Sequence, residues 1–124
     1  MIYQARLIDV LKLDSSFYQP PEDLRRFTVG EMMPMIHREI RESKTDQYQI
    51  LWDSMRYYGQ AVPFHVTEDK TRLRDGMHRI ALATLLNWHS IDLSTERITY
   101  DEWNNSEIGQ RYYALWRGRF AVCK

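Results

Sequence analysis

One stretch limits what this chain can fold into more than any other: Leu73-Arg74-Asp75-Gly76-Met77-His78-Arg79-Ile80-Ala81-Leu82-Ala83-Thr84-Leu85-Leu86. Its second half is apolar on nearly every face of a helix, so it needs cover on all sides and belongs at the centre of the fold. The stretch reads as the end of a strand, a two-residue turn, and a helix over residues 77–86. Asp75 suits the N-cap, and Gly76 tolerates backbone angles that other residues avoid. His78 and Arg79 then fall in the first helical turn, where unpaired N–H groups and the helix dipole favour an anion. Two cations at that end oppose the dipole. They are accounted for either by a bound anion, above all a phosphate, or by side chains that turn outward onto nearby carboxylates.

The rest of the chain supplies cover for that helix. Residues 2–13 alternate loosely and predict one or two short strands with Asp9 near a break. Asp14-Ser15-Ser16 and Gln19-Pro20-Pro21 punctuate a loop, with Phe17 and Tyr18 tucked against the body. A helix begins at Thr28 or Gly30, with Met32, Met33, Ile36 and Ile40 on one face and Glu39, Arg41 and Glu42 on the other. Pro34 is placed in its first turn, and the alternating charges of residues 37–46 form a solvated face ending in a loop. The methionines are read as core filler rather than as an adaptable binding surface.

A second helix, capped by Thr45 or Asp46, carries Tyr48, Leu51, Trp52, Met55 and Tyr58, and Gly59 ends it in a left-handed conformation. Residues 61–66 form a strand, with Pro63 at an edge or first position. Residues 68–70 turn, and residues 71–74 return as the second strand of a hairpin. After the buried helix, residues 91–98 give another strand. A closing helix capped by Thr99 or Asp101 holds Trp103, Ile108, Tyr112, Leu115 and Trp116 and ends near Gly118. Strands and helices intermix, no repeat or linker divides them, and residues 1–124 are read as a single α+β domain, a small mixed sheet packed with helices.

Charge narrows the function classes. Seventeen basic residues balance seventeen acidic ones, so net charge steers the molecule neither to nucleic acid nor to an anionic membrane. No apolar run is long enough to span a bilayer, and no charged-then-apolar leader opens the chain. Cys123 is the only cysteine, which rules out an intrachain disulfide or a thiolate zinc cage and points to a reducing compartment, the cytoplasm. The histidines at 37, 65, 78 and 89 do not share a helical turn, so no metal site is expected. Ser54 follows Asp53 without a nucleophile elbow and is assigned to core or capping use. Residues 111–120 interleave arginine with aromatics, which serves a core-facing amphipathic helix before it serves base stacking or a partner.

Two blocks resemble the ParB/sulfiredoxin superfamily. Residues 51–66 follow its helix-glycine-strand segment, with Ser54, Gly59, Pro63 and Val66 in register. Asp75-Gly76-Met77-His78-Arg79 is similar to the DGxHR version of its phosphate-binding motif. The resemblance covers residues 48–95, and residues 14–20 stand where the family has an N-terminal Asn-Pro segment. It implies a small α+β fold whose central helix cradles nucleotide phosphates. Gly76 would allow close backbone approach, Arg79 would hold a phosphate, and His78 would donate a second hydrogen bond. Asp75 would cap the helix or touch ribose or a metal.

Departures from the family pattern limit the chemistry. Sulfiredoxins place a cysteine where Met77 stands, which removes sulfinic-acid repair. The chromosome-partitioning branch has an acidic residue and two arginines after the glycine, and a further DNA-binding domain that this chain does not hold. Kinases among the relatives use an upstream Glu as base, for which Glu31 and Glu39 are the candidates by position. The resemblance therefore implies a nucleotide- or phosphate-binding domain of the kind carried by phages and mobile elements, in which case it would work in the host cytoplasm. A nucleoside triphosphate and Mg would be its cofactors, and phosphoryl transfer or nucleotide hydrolysis its reaction. Nuclease activity is a minor option, for want of clustered carboxylates. The alternative is a non-catalytic interaction module that keeps the fold with a degenerate pocket and binds a host or partner protein.

Overall fold

A computed structural model describes residues 1–18, 26–60 and 62–105. These residues form a mixed α+β fold in which ten elements follow one another. Strand β1 (Ile2–Arg6) runs into a single helical turn, α1 (Leu7–Val10). Strands β2 (Asp14–Tyr18) and β3 (Arg26–Thr28) pair antiparallel, and helices α2 (Val29–Glu42) and α3 (Gln47–Tyr58) follow. Strand β4 (Phe64–His65), helix α4 (Met77–Leu85) and strand β5 (Ser90–Ser94) form a parallel βαβ unit, and α5 (Tyr100–Asn105) closes the described chain.

The main sheet has the order β1-β5-β4, antiparallel on one side of β5 and parallel on the other. Being central, β5 is covered on both faces, and Ile91, Asp92, Leu93 and Ser94 are all buried. Helix α4 packs against α2 and α3. Ile80, Ala81, Leu82 and Ala83 of α4 join Phe64, Leu93, Val29 and Ile36 in one hydrophobic core. Each large aliphatic side chain hidden there contributes roughly 1.5–3 kcal/mol, so α4 is held by burial from several sides rather than by its caps. Its burial is not uniform, since Leu85 keeps 47% of its surface.

Local chemistry explains where the elements start. Thr28 accepts the amide of Glu31 while the Glu31 carboxylate accepts the amide of Thr28, a complete capping box that launches α2. Thr99 and Glu102 make the same reciprocal pair ahead of α5. The continuation of that last helix toward Gly118, the arginine-aromatic segment and Cys123 lie outside the described residues.

The break expected near Asp9 is the helical turn α1, within which Asp9 accepts Arg6 Nε at 3.0 Å. Several expectations are corrected. Asp14-Ser15-Ser16 is strand, not loop. Asp14 donates its amide to Thr71 and accepts that of Leu73, so tertiary pairing overrides the turn preference of these polar residues. Pro34 is the sixth residue of α2 and therefore sits in its second turn, at the cost of one helical hydrogen bond. His37 leaves the solvated face and places Nε2 2.9 Å from Thr84 Oγ1 and 3.2 Å from the Ala81 carbonyl, tying α2 to α4. Ser54 is exposed in mid-helix and neither caps nor enters the core. Gly59 has φ 78° and ψ −155°, which is not the left-handed helical cap but a region open essentially to glycine alone. The hairpin after β4 holds only an isolated bridge, Val66 to Leu73, and β5 stops at Ser94.

Beyond Gly59, a side chain continues the sheet. Gln60 is buried, donates Nε2 to the carbonyl of Asp92 at 2.7 Å and to that of Val62 at 2.9 Å, and accepts the amide of Asp92 at 2.8 Å. The amide group thus occupies the edge of β5 that lies before β4 begins. Gln60→Leu removes both bonds to the backbone of Asp92, at about 1–3 kcal/mol for each buried polar group that loses its Gln60 partner. Urea denaturation should show a loss of at least about 2 kcal/mol, and a change under about 0.5 kcal/mol would contradict this role.

Candidate functional site

Helix α4 starts at Met77, where the sequence places it, but by a different device. Its N-cap is Gly76, at φ 109° and ψ 12°, and no side chain caps the helix. Asp75 is therefore not the N-cap. The reason is steric: a β-carbon on Gly76 would come within 2.9 Å of the Phe64 ring. The chain can turn this tightly onto β4 only with glycine, and with a left-handed backbone at that residue. The turn is held from the strand side, since the His65 carbonyl accepts the amides of Arg74 at 2.8 Å and Asp75 at 3.2 Å. The first helical bond runs from Ile80 N to the Gly76 carbonyl at 2.8 Å. The amides of residues 77–79 precede it and have no capping side chain, which leaves three donors at the positive end of a buried helix.

The four residues singled out from the sequence diverge in direction. Arg79 is half-buried with its guanidinium 4.8 Å from the centroid of the Phe64 ring. Burial pulls its pKa down from the usual arginine value, and the charge of Asp75 opposes that shift. Arginine stays protonated nonetheless, and among the described residues this cation has a ring beneath it but no carboxylate in ion-pair contact. His78 turns toward α2 and α3 instead. Its Nε2 lies 3.2 Å from Glu39 Oε1 and its ring stacks on Tyr48, with centroids 5.5 Å apart and planes inclined by 22°. Tyr48 donates its hydroxyl to the same Glu39 oxygen at 3.2 Å, and the tyrosine's pKa is raised by partial burial and by the neighbouring carboxylate.

Asp75 faces another way again. It lines a hollow of about 390 Å³ together with His65, Arg74 and Arg97. A second hollow of about 590 Å³ shares His65 and Arg74 and continues along the turn that carries Thr67, Asp69 and Arg72. Asp69 is committed to that turn. It accepts the hydroxyls of Thr67 at 2.6 Å and Thr71 at 2.7 Å and the Thr71 amide, which hold its carboxyl at about 2.

Of the two candidate bases, Glu31 is consumed by the capping box, whereas Glu39 touches His78. His65, Arg74 and Arg97 were not singled out by sequence reasoning. Strand alternation was the available signal for His65, since Phe64 had to face the core. Arg97 lies too far along the chain from the motif to be grouped with it by spacing. Among the described residues no three metal-binding side chains gather, and no helix is long and apolar enough to cross a membrane.

The dependence on Gly76 is testable. Gly76→Ala forces an unfavourable φ and a clash with Phe64 at once, so the variant should lose about 2 kcal/mol or more in urea denaturation. An unchanged midpoint would show that the turn is not built as described. No family model, curated protein or solved structure matches this chain.

Proposed function

We propose that the chain is a nucleotide- or phosphate-binding domain of ParB/sulfiredoxin type, with the anion seated at the start of α4. The observation that carries this reading is the combination at that point of three uncapped amides and the Arg79 guanidinium, which has no carboxylate partner among the described residues. The positive end of a buried helix and a desolvated guanidinium act in the same direction on a phosphate. The Asp75-Gly76-Met77-His78-Arg79 motif supports it independently by resemblance.

In this reading Arg79 makes a charge-assisted contact and Gly76 lets the backbone come close. His78 joins by exchanging Glu39 for the ligand. That exchange costs little, because both partners are about half exposed and surface ion pairs contribute about 0–1 kcal/mol. Magnesium would arrive on the phosphates of a nucleoside triphosphate, where one protein carboxylate suffices for it. Asp75, exposed and next to the N-cap, would take that part by turning from the hollow it lines with His65, Arg74 and Arg97. Phosphoryl transfer or nucleotide hydrolysis is then the reaction class, and Glu39 beside His78 is the candidate base. The nucleotide-rich cytoplasm is the matching compartment, that of a host if the protein is phage-encoded.

The attachment of His78 to Glu39 and Tyr48 favours a second reading, a non-catalytic module whose pocket has been given over to helix packing and which binds a host or partner protein.

Thermal denaturation separates the two. ATP, CTP or GTP with magnesium should raise Tm by several degrees, corresponding to about 2.7 kcal/mol at one hundred times the dissociation constant. Arg79→Ala should abolish the rise. Because that variant also loses the Phe64 contact, calorimetric titration of the folded variant provides the control. No shift with any nucleotide or inorganic phosphate favours the partner-binding module.

A further inference from the structure

From the arrangement of His65, Arg74 and Arg97 we infer a second oxyanion site, separate from the start of α4, for a carboxylate or phosphate group. Strand alternation provides the separation. Phe64 faces the core beneath Gly76 and Arg79, so His65, its neighbour on the strand, points to the opposite face of β4. There it lines the hollow of about 390 Å³ with Arg74, Asp75 and Arg97.

Three features make this hollow a site for an anion rather than a gap between surface side chains. First, positive charge is in excess: two guanidinium groups, with an imidazole beside them, face one carboxylate, in a chain whose total charge is zero. Neither Arg74 nor Arg97 makes an ion pair among the described residues, although Asp75 lines the same space. Second, the backbone that carries these side chains is held. The His65 carbonyl holds the amides of both Arg74 and Asp75, and Val66 N binds the Ser94 carbonyl at 2.9 Å, which sets the chain that leads to Arg97. Third, the hollow is lined by His65, the last residue of β4, and by Arg97, three residues past the end of the parallel strand β5. In parallel sheets the carboxyl ends of the strands are where ligands collect. Two arginines approaching from separate segments match the forked donors that planar carboxylates and tetrahedral phosphates both accept.

The test follows the Arg Nε–Hε and backbone signals of the full ¹⁵N-labelled chain by NMR while inorganic phosphate, and in a parallel series acetate, is added. Saturable shifts at Arg74 and Arg97 are expected, and the anion that saturates at lower concentration identifies the group. The double variant Arg74→Gln/Arg97→Gln should weaken that binding at least about tenfold. Both residues are exposed, so its Tm should stay close to that of the parent. Arg79→Ala should leave the Arg74 and Arg97 shifts intact, so this site can stand or fall independently of the one on α4. Linear, non-saturating shifts with both anions would overturn the inference. So would shifts at residues 74 and 97 that vanish with Arg79→Ala.

Discussion

The close approach of Gly76 to the Phe64 ring governs how this protein is put together. A side chain at that position would displace the aromatic ring from the core. With glycine there, the chain leaves β4, closes a short hairpin and enters α4 at an angle that buries four consecutive residues of the helix. The crossover from β4 into α4, which lets β5 return parallel to β4, depends on that contact. The same turn has a chemical consequence. A left-handed glycine has no side-chain oxygen, so the amides behind it lack the cap that Thr28 provides for α2. Geometry required by packing leaves hydrogen-bond donors open to a ligand.

The polar side chains around α4 divide into those that build and those that remain open. His37 fastens α2 to α4 through Thr84, and Gln60 completes the edge of β5. Glu31 is committed to a cap and Asp69 to a turn. Arg79, Arg74 and Arg97, by contrast, have no carboxylate partner among the described residues, and they flank β4 on its two faces. His78 stands between the groups: it is paired, but through an exposed contact that a phosphate could replace. These three arginines lie around β4 and the start of α4, where no carboxylate among the described residues pairs with them.

Much of this was legible in the chain itself. The apolar run after Arg79 identified the buried helix and its first residue, and the methionine-rich pattern identified α2. Thr28 and Thr99 were each one of two helix starts that the sequence offered, beside Gly30 and Asp101. What could not be read depends on contacts distant in sequence. The polar Asp14-Ser15-Ser16 becomes strand because its backbone meets Thr71 and Leu73, and no local preference reports a partner almost sixty residues away. Asp75 looked like a cap because the penalty of a side chain at the next position against Phe64 is invisible until the two are folded together. The side chains of His78 and Arg79, adjacent in sequence, separate because neighbouring positions on a helix point about 100° apart. One meets Glu39 and the other meets Phe64.

Hydrogen exchange at the backbone amides of residues 77, 78 and 79 tests the central claim most directly. Without ligand these three should exchange quickly, while those of Ile80 to Ala83, bonded inside the helix, remain protected. Saturating magnesium and ATP, CTP or GTP should slow the three at least about tenfold, as an acceptor replaces water. Equal rates with and without every nucleotide and inorganic phosphate would contradict the account, because the open donors of α4 would then have no anion to receive.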